Sequence, residues 1–285
     1  MVRVSYFPGC SLDGTAREYG ESVRAICKIL NIELNELEDW NCCGASSAHS
    51  INSKLAVALA ARNLEIAEKA KLKDLVIPCA ACFHRTKVAE YELLNHPESY
   101  KDISFQGNVK PKDLLNFICE DIGLEAVKEK VKKPLKELKA VCYYGCLTMR
   151  PPEIVGEKNY ENPQNMDNLL AILGAEVISW PYKTDCCGGS LVLTRPDIVR
   201  TLVNKLYEMA LLAGAECIVV SCPLCHGNLD QRQTEISQEF KKDYNIPIFY
   251  YTELMGIAFG CNEVDKWLGR HLVDTKKLLK SKNLI

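Results

Sequence analysis

The sequence predicts an α/β fold: two duplicated Rossmann-like βαβ cysteine-rich halves with mainly parallel sheets. Three observations predict it. A lone cysteine, a vicinal Cys-Cys-Gly and a Cys-x-x-Cys occur in that order twice, as Cys10, Cys42-Cys43-Gly44 and Cys79-Ala80-Ala81-Cys82, then as Cys146, Cys186-Cys187-Gly188 and Cys222-Pro223-Leu224-Cys225. The flanking words repeat as well: YFPGC answers YYGC, NCCGASS answers DCCGGSL, and VIPCAACFH answers VVSCPLCHG. In both halves short apolar runs alternate with stretches of helical periodicity, which is how parallel strands with crossover helices read.

Each element has its own signal. Val2 to Phe7 is a short β-rich run, and Tyr19, Val23, Ile26 and Leu30 then recur at helical spacing, closed by Asn31 as a left-handed cap. An extended segment near Leu37 leads to Cys42-Cys43. Ile51 to Ala70 is a helix by propensity, and Asp74 to Pro78 is a buried strand delivering Cys79, so the Cys-x-x-Cys opens a strand-to-helix turn. His96 to Lys139 is charged, carries a helical stretch near Lys112 to Val131, and reads as a connector. The domains are therefore drawn as 1–95, a helical connector 96–139, and 140–285.

The second half repeats the order: strand Ala140 to Tyr144, a helix around Met166 to Leu173 capped by Gly174, strand Ala175 to Trp180, then Cys186-Cys187. Thr194, Pro196 and Asp197 start a helix whose apolar face is read as Ile198, Val199, Leu202, Leu206 and Met209. Strand Cys217 to Val220 delivers Cys222. Sites in such folds collect at the carboxyl ends of the strands, so all six cysteine elements are expected to converge.

Composition excludes several classes. The 285 residues suffice to bury roughly three quarters of the unfolded surface without covalent help. Charge is balanced, 35 basic against 37 acidic side chains, which leaves no field for nucleic acid. No signal peptide and no apolar run of about eighteen residues is present, so a cytoplasmic protein without a transmembrane segment is expected. In that reducing compartment fifteen cysteines read as metal ligands rather than disulfides.

Five thiolates per half exceed the four of a structural zinc or an ordinary four-iron cluster. If all five bind, the bound body is larger or more open than a cube, and Gly44, Gly188 and Gly189 are expected to allow its close approach. There is no ferredoxin-type cysteine run and no Gly-x-Gly-x-x-Gly, so electrons are expected from a separate protein chain.

On these residues the chain resembles the B subunit of heterodisulfide reductase, a family with two cysteine-rich CCG domains, over nearly its whole length. The resemblance implies two noncubane 4Fe-4S clusters facing each other at the interface. Cys10, Cys42, Cys43, Cys79 and Cys82 would bind one; Cys146, Cys186, Cys187, Cys222 and Cys225 would bind the other. It implies a disulfide substrate cleaved between them, the mixed CoM and CoB disulfide of methanogenesis or a related small or protein disulfide. It also implies two partners in the same complex, a ferredoxin-like iron-sulfur protein (the C component) and a flavin iron-sulfur protein (the A component). Reducing a disulfide takes two electrons, while such clusters pass them singly, which gives the duplication a reason. Two other readings stay open: an electron-transfer component of a quinone-linked or 2-hydroxy acid dehydrogenase complex, or one half holding structural zinc.

Other residues near the motifs have plainer explanations. Cys142 competes with Cys146 for the lone position, and the alignment of YYGC with FPGC favours Cys146. Cys27, Cys119, Cys217 and Cys261 read as small core residues. His84 and His226 follow the Cys-x-x-Cys motifs and are weak candidates for a catalytic acid, packing beside the sulfurs being the stronger reading. His49 is a lesser candidate still, and His96 and His271 sit in polar segments and read as solvated. Arg17, Arg85, Lys87, Arg150 and Arg232 either meet an anionic disulfide or are surface charge.

Overall fold

The computed structural model describes residues 1–45 and 48–285; Ser46 and Ser47 of the NCCGASS word lie outside the described residues. Strands β1 (Val2–Tyr6), β2 (Ile32–Glu36), β3 (Asp74–Ile77) and β4 (Lys110–Asp113) form one sheet. Strands β5 (Lys139–Tyr143), β6 (Glu176–Val177), β7 (Cys217–Val220) and β8 (Ile248–Tyr250) form the other. Their orders, β2-β1-β3-β4 and β6-β5-β7-β8, are the same, and every pairing is parallel. Leu75, Val76 and Ile77 and all four residues of β7 are buried, as expected of central parallel strands covered on both faces.

Helix Arg17–Ile29 buries Tyr19, Val23, Ile26 and Cys27, and Asn31 just beyond it has φ 57°, the left-handed stop its sequence implied. Helix Ser53–Lys69 starts where the Asn52 side chain accepts from Leu55 N. Helices Ala80–Asn95 and Pro223–Gln231 begin directly at the Cys-x-x-Cys motifs. Helices Asn165–Ile172 and Pro196–Leu212 complete the repeat.

Three expectations are corrected. The buried row of helix 196–212 is Val199, Val203, Leu206, Tyr207 and Ala210, while Ile198, Leu202 and Met209 lie half-buried beside it. An asparagine on that face hides the true stripe: buried Asn204 is satisfied by the Tyr244 hydroxyl at 2.7 Å. The strand expected over Ala175 to Trp180 shrinks to Glu176–Val177, because the Trp180 indole, rather than backbone, donates to the Cys142 carbonyl at 2.8 Å. Lys112 lies in β4 rather than a helix, its ammonium 3.1 Å from Asp74 on the neighbouring strand, so the stretch read as a connector supplies the first sheet's fourth strand.

The two halves clasp each other. Helix Tyr251–Phe259, buried at all nine residues, comes directly after β8 and packs on helix 17–29 of the other half. Ser22 Oγ and Thr252 Oγ1 are 2.7 Å apart there, and Tyr19 stacks on Tyr250 with ring centroids 4.1 Å apart. Reciprocally, the helical stretch 114–128 comes after β4 and packs on helix 165–172, with Asn165 Nδ2 donating to Asn116 Oδ1 at 2.9 Å. One continuous apolar core spans both sheets. Among the described residues no helix is long and apolar enough to cross a membrane.

Candidate functional site

The strands deliver the sulfurs. Cys10 and Cys146 lie one short turn past the ends of β1 and β5, Cys79 and Cys222 lie just past β3 and β7, and the loops after β2 and β6 bring in the vicinal pairs. All fifteen cysteines are free thiols. In the first half Cys10 Sγ is 3.9 Å from Cys42 Sγ, and thiol contacts continue from Cys42 to Cys43, to Cys82 and to Cys79. In the second, Cys146 Sγ is 3.8 Å from Cys186, Cys187 is 3.6 Å from Cys225, and Cys225 meets Cys222. Each motif is thus gathered into one nest of five sulfurs.

Such crowding redistributes protons. Donation from Cys42, then from Cys82, draws Cys43 down to about 3, and donation from Cys146 draws Cys186 down to about 6. Cys42, Cys82 and Cys146, which give those hydrogen bonds, are pushed up, as is Cys225 beside Cys187 and Cys222. Backbone also serves the sulfurs: Gly188 N donates to Cys186 Sγ at 3.2 Å, and Gly44 N to Cys42 Sγ at 3.5 Å. Thiols that share protons this closely offer those positions to a cationic body. Among the described residues no three Cys, His, Asp or Glu side chains close around a single ion. Sulfurs that meet in pairs rather than around one point suit a group of several irons better than one ion.

Gly189 lies against a sulfur as expected, an added Cβ there meeting Cys187 Sγ at 3.7 Å, but the tightest clearance comes from two other glycines. At Gly9, φ 74°, an added Cβ would lie 2.6 Å from Cys82 Sγ, and at Gly145, φ 70°, it would lie 3.1 Å from Cys225 Sγ. Gly44 and Gly188 instead let the loop approach Ala48 and Leu59 or Val199 and Leu202.

A cavity of about 190 Å³ lies between the halves. Four second-half cysteines, Cys146, Cys186, Cys187 and Cys222, line it together with the fifth, Cys225. From the first half come Ala80 and Ala81, the residues between Cys79 and Cys82, together with His84 and Arg85. The second nest opens directly into this space, and the first half presents to it the start of its Cys-x-x-Cys helix.

The remaining candidates sort cleanly. Cys142 is enclosed in β5, its thiol pushed up by burial and by Asp167, while Cys146 stands among the sulfurs. Cys27, Cys119 and Cys217 are buried and Cys261 half-buried, all outside the nests. His84 is pushed down to about 4 by burial and then by Arg85, so it is neutral at pH 7. His226 is buried outside the cavity wall, stacked on Tyr250 at 4.3 Å, its Nε2 3.4 Å from His271 Nδ1. His271 is not solvated: its Nε2 is 2.8 Å from Glu253 Oε1 and both side chains are fully buried, because the chain after helix Val264–Leu268 folds back onto the second half. His49 lines the cavity mouth, and His96 is exposed near Glu98.

Arg17 donates to the Asp13 carbonyl, Lys87 pairs with Glu90, Arg150 with Glu161 and Arg232 with Glu235. None of these four lines the cavity; Arg85, the fifth cation near the motifs, does. Sequence reasoning missed Asn228, whose amide donates to Cys187 O at 3.1 Å and reaches Cys187 Sγ at 3.6 Å. Its position one helical turn after Cys225 is the signal that was present.

The family model described as the CCG cysteine-rich domain matches residues 4–86 and 140–230. The 8-methylmenaquinol:fumarate reductase membrane anchor subunit of Wolinella succinogenes is 31% identical over 96% of this chain and 98% of its own. The B subunit of the ferredoxin/F420H2-dependent CoB-CoM heterodisulfide reductase of Methanosarcina acetivorans is 27% identical over 91% of this chain and 90% of its own. A solved hypothetical protein from Helicobacter pylori superposes with a TM-score of 0.74 at 13% identity. It shares the fold, covering 96% of this chain, which spans about half (52%) of that structure.

Proposed function

The chain belongs to the CCG cysteine-rich domain family of iron-sulfur, electron-transferring oxidoreductases, and from that premise we propose that it reduces a small disulfide to two thiols in the cavity between its halves. Cys10, Cys42, Cys43, Cys79 and Cys82 would hold one noncubane 4Fe-4S cluster. Cys146, Cys186, Cys187, Cys222 and Cys225 would hold the other, as the donor sets and the clearance at Gly9 and Gly145 allow. When bound, such groups supply single electrons and Lewis acidity.

The observation that carries this reading is a cavity between the halves walled by an entire five-sulfur nest. Ala80 and Ala81 leave room for a substrate chain, and Leu147 and Leu224 make the wall apolar, so a disulfide entering it leaves water. Cleavage consumes two electrons and two protons and releases two thiols. The electrons would come from a ferredoxin-like iron-sulfur partner and a flavin-bearing iron-sulfur partner, with the whole complex in the cytosol.

Anaerobic purification with partners, iron and sulfide analysis, and thiol titration after adding disulfides tests the proposal. About eight irons and two thiols released per disulfide are expected; release of no thiol overturns it. The Wolinella relative, named for a menaquinol:fumarate reductase, favours a second reading in which the chain only relays electrons in a quinone-linked complex. Cluster reduction by partners with every disulfide inert would establish that reading instead.

A further inference from the structure

The cavity at the sulfurs is the inner of two. An outer one of about 250 Å³, walled by Ser53, Val57, Val88, Glu92 and Tyr100, adjoins it, and His49 and Arg85 line both. Cysteines aside, the inner wall is small or apolar apart from Tyr144, Ser190, the two histidines and Arg85, and Arg85 is its single permanent charge among the described residues.

Arg85 is half-buried and makes no ion pair or hydrogen bond among the described residues; burial weakens its hold on a proton and Cys43 is the group that steadies it. The internal repeat sharpens the oddity. The residue at the same place after the second Cys-x-x-Cys is Asn228, whose amide is enough to serve Cys187. A support for sulfur therefore does not require a guanidinium. A half-buried guanidinium with no hydrogen-bonded partner among the described residues has its planar fork of donors free, and that fork matches carboxylate, sulfonate and phosphate.

We propose that Arg85 is the recognition site for an anionic tail: the ligand is a small molecule whose sulfur end lies among the second-half cysteines and whose carboxylate, sulfonate or phosphate lies where the two cavities meet. The Ser53 and Tyr100 hydroxyls offer further donors on the outer wall, and Glu92 repels an anion placed further out, which keeps the charged end at the junction. The disulfide in this inference rests on the function proposed above; the anion site does not.

A charge series on the cluster-loaded protein tests it. Dithiodipropionate, neutral hydroxyethyl disulfide and cationic cystamine are compared by anaerobic calorimetry and by turnover. About tenfold tighter binding of the dianion than of the neutral disulfide is expected, a gap of about 1.4 kcal/mol. Arg85→Gln keeps an amide like that of Asn228 and is expected to level the two with iron content and cluster spectrum unchanged, while Arg85→Lys keeps part of the preference. Wild-type protein with no preference for the dianion, or Arg85→Gln that retains it, overturns the proposal. Suberate, the all-carbon isostere, separates the two readings: Arg85-dependent suberate binding without disulfide turnover upholds the anion site and removes the disulfide reaction. Turnover indifferent to charge does the reverse.

Discussion

At Gly9 the backbone runs so close to Cys82 that one methyl group would collide with the sulfur, and the same holds less severely at Gly145 and Cys225. Gly9→Ala is expected to cost about 1–3 kcal/mol through the positive φ alone and to lower iron bound by the first nest, read by melting and iron analysis. Cys225→Ser, at the centre of the second nest's contacts, is expected to remove about half the iron and all disulfide turnover. His84→Ala is expected to change turnover less than about threefold, because a histidine neutral at pH 7 lacks the proton a strong general acid would lose. The gathering of the ten sulfurs into two groups was legible in the sequence because the cysteine spacing repeats. The places of Gly9 and Asn228 were not, and Arg85 stood undistinguished among five cations, since each depends on which neighbour the fold brings alongside.

Among the elements, strands and helices with strong periodicity stand where the sequence puts them: β3, β7, helix 17–29 and helix 53–69 are examples. The fourth strands β4 and β8 escaped. They are short; β4 carries Pro111 and takes strand form by pairing with β3 rather than by propensity, while β8, directly after Pro247, is only three residues long beside β7. The helical segments directly after them matter more than the strands themselves, since those segments cross to the other half. Thr252→Val removes the cross-half partner of the Ser22 hydroxyl, which still donates to the Tyr19 carbonyl, and a loss of about 0.5–1.5 kcal/mol is expected in denaturant unfolding. Thr252→Ser restores the oxygen and is expected to recover most of it.

For the whole molecule, the buried pair of His271 and Glu253 ties stability to pH. Burial alone would lower His271, but Glu253, with Asp230 and Glu18 nearby, outweighs it and raises the group to about 9, while burial and then the charge on His271 push His226 down. A group raised in this way contributes fully below its unfolded value near 6.5 and loses that contribution as pH rises through about 9. Unfolding free energy is therefore expected to fall by about 3 kcal/mol over that window, and His271→Gln to flatten the dependence. The reciprocal packing of helices across one core predicts a single cooperative transition by calorimetry rather than one per half.

That reciprocity also bears on ancestry. Two like modules, each lending a helix to the other, have the symmetry of an isologous homodimer whose protomers have been joined in one polypeptide. A half-length forebear would have needed a second copy of itself to close its interior, and any mutation would have altered both of its sites at once. In one polypeptide the two positions are free to differ, and they do: Arg85 stands on one side and Asn228 on the other, which gives the pocket a direction.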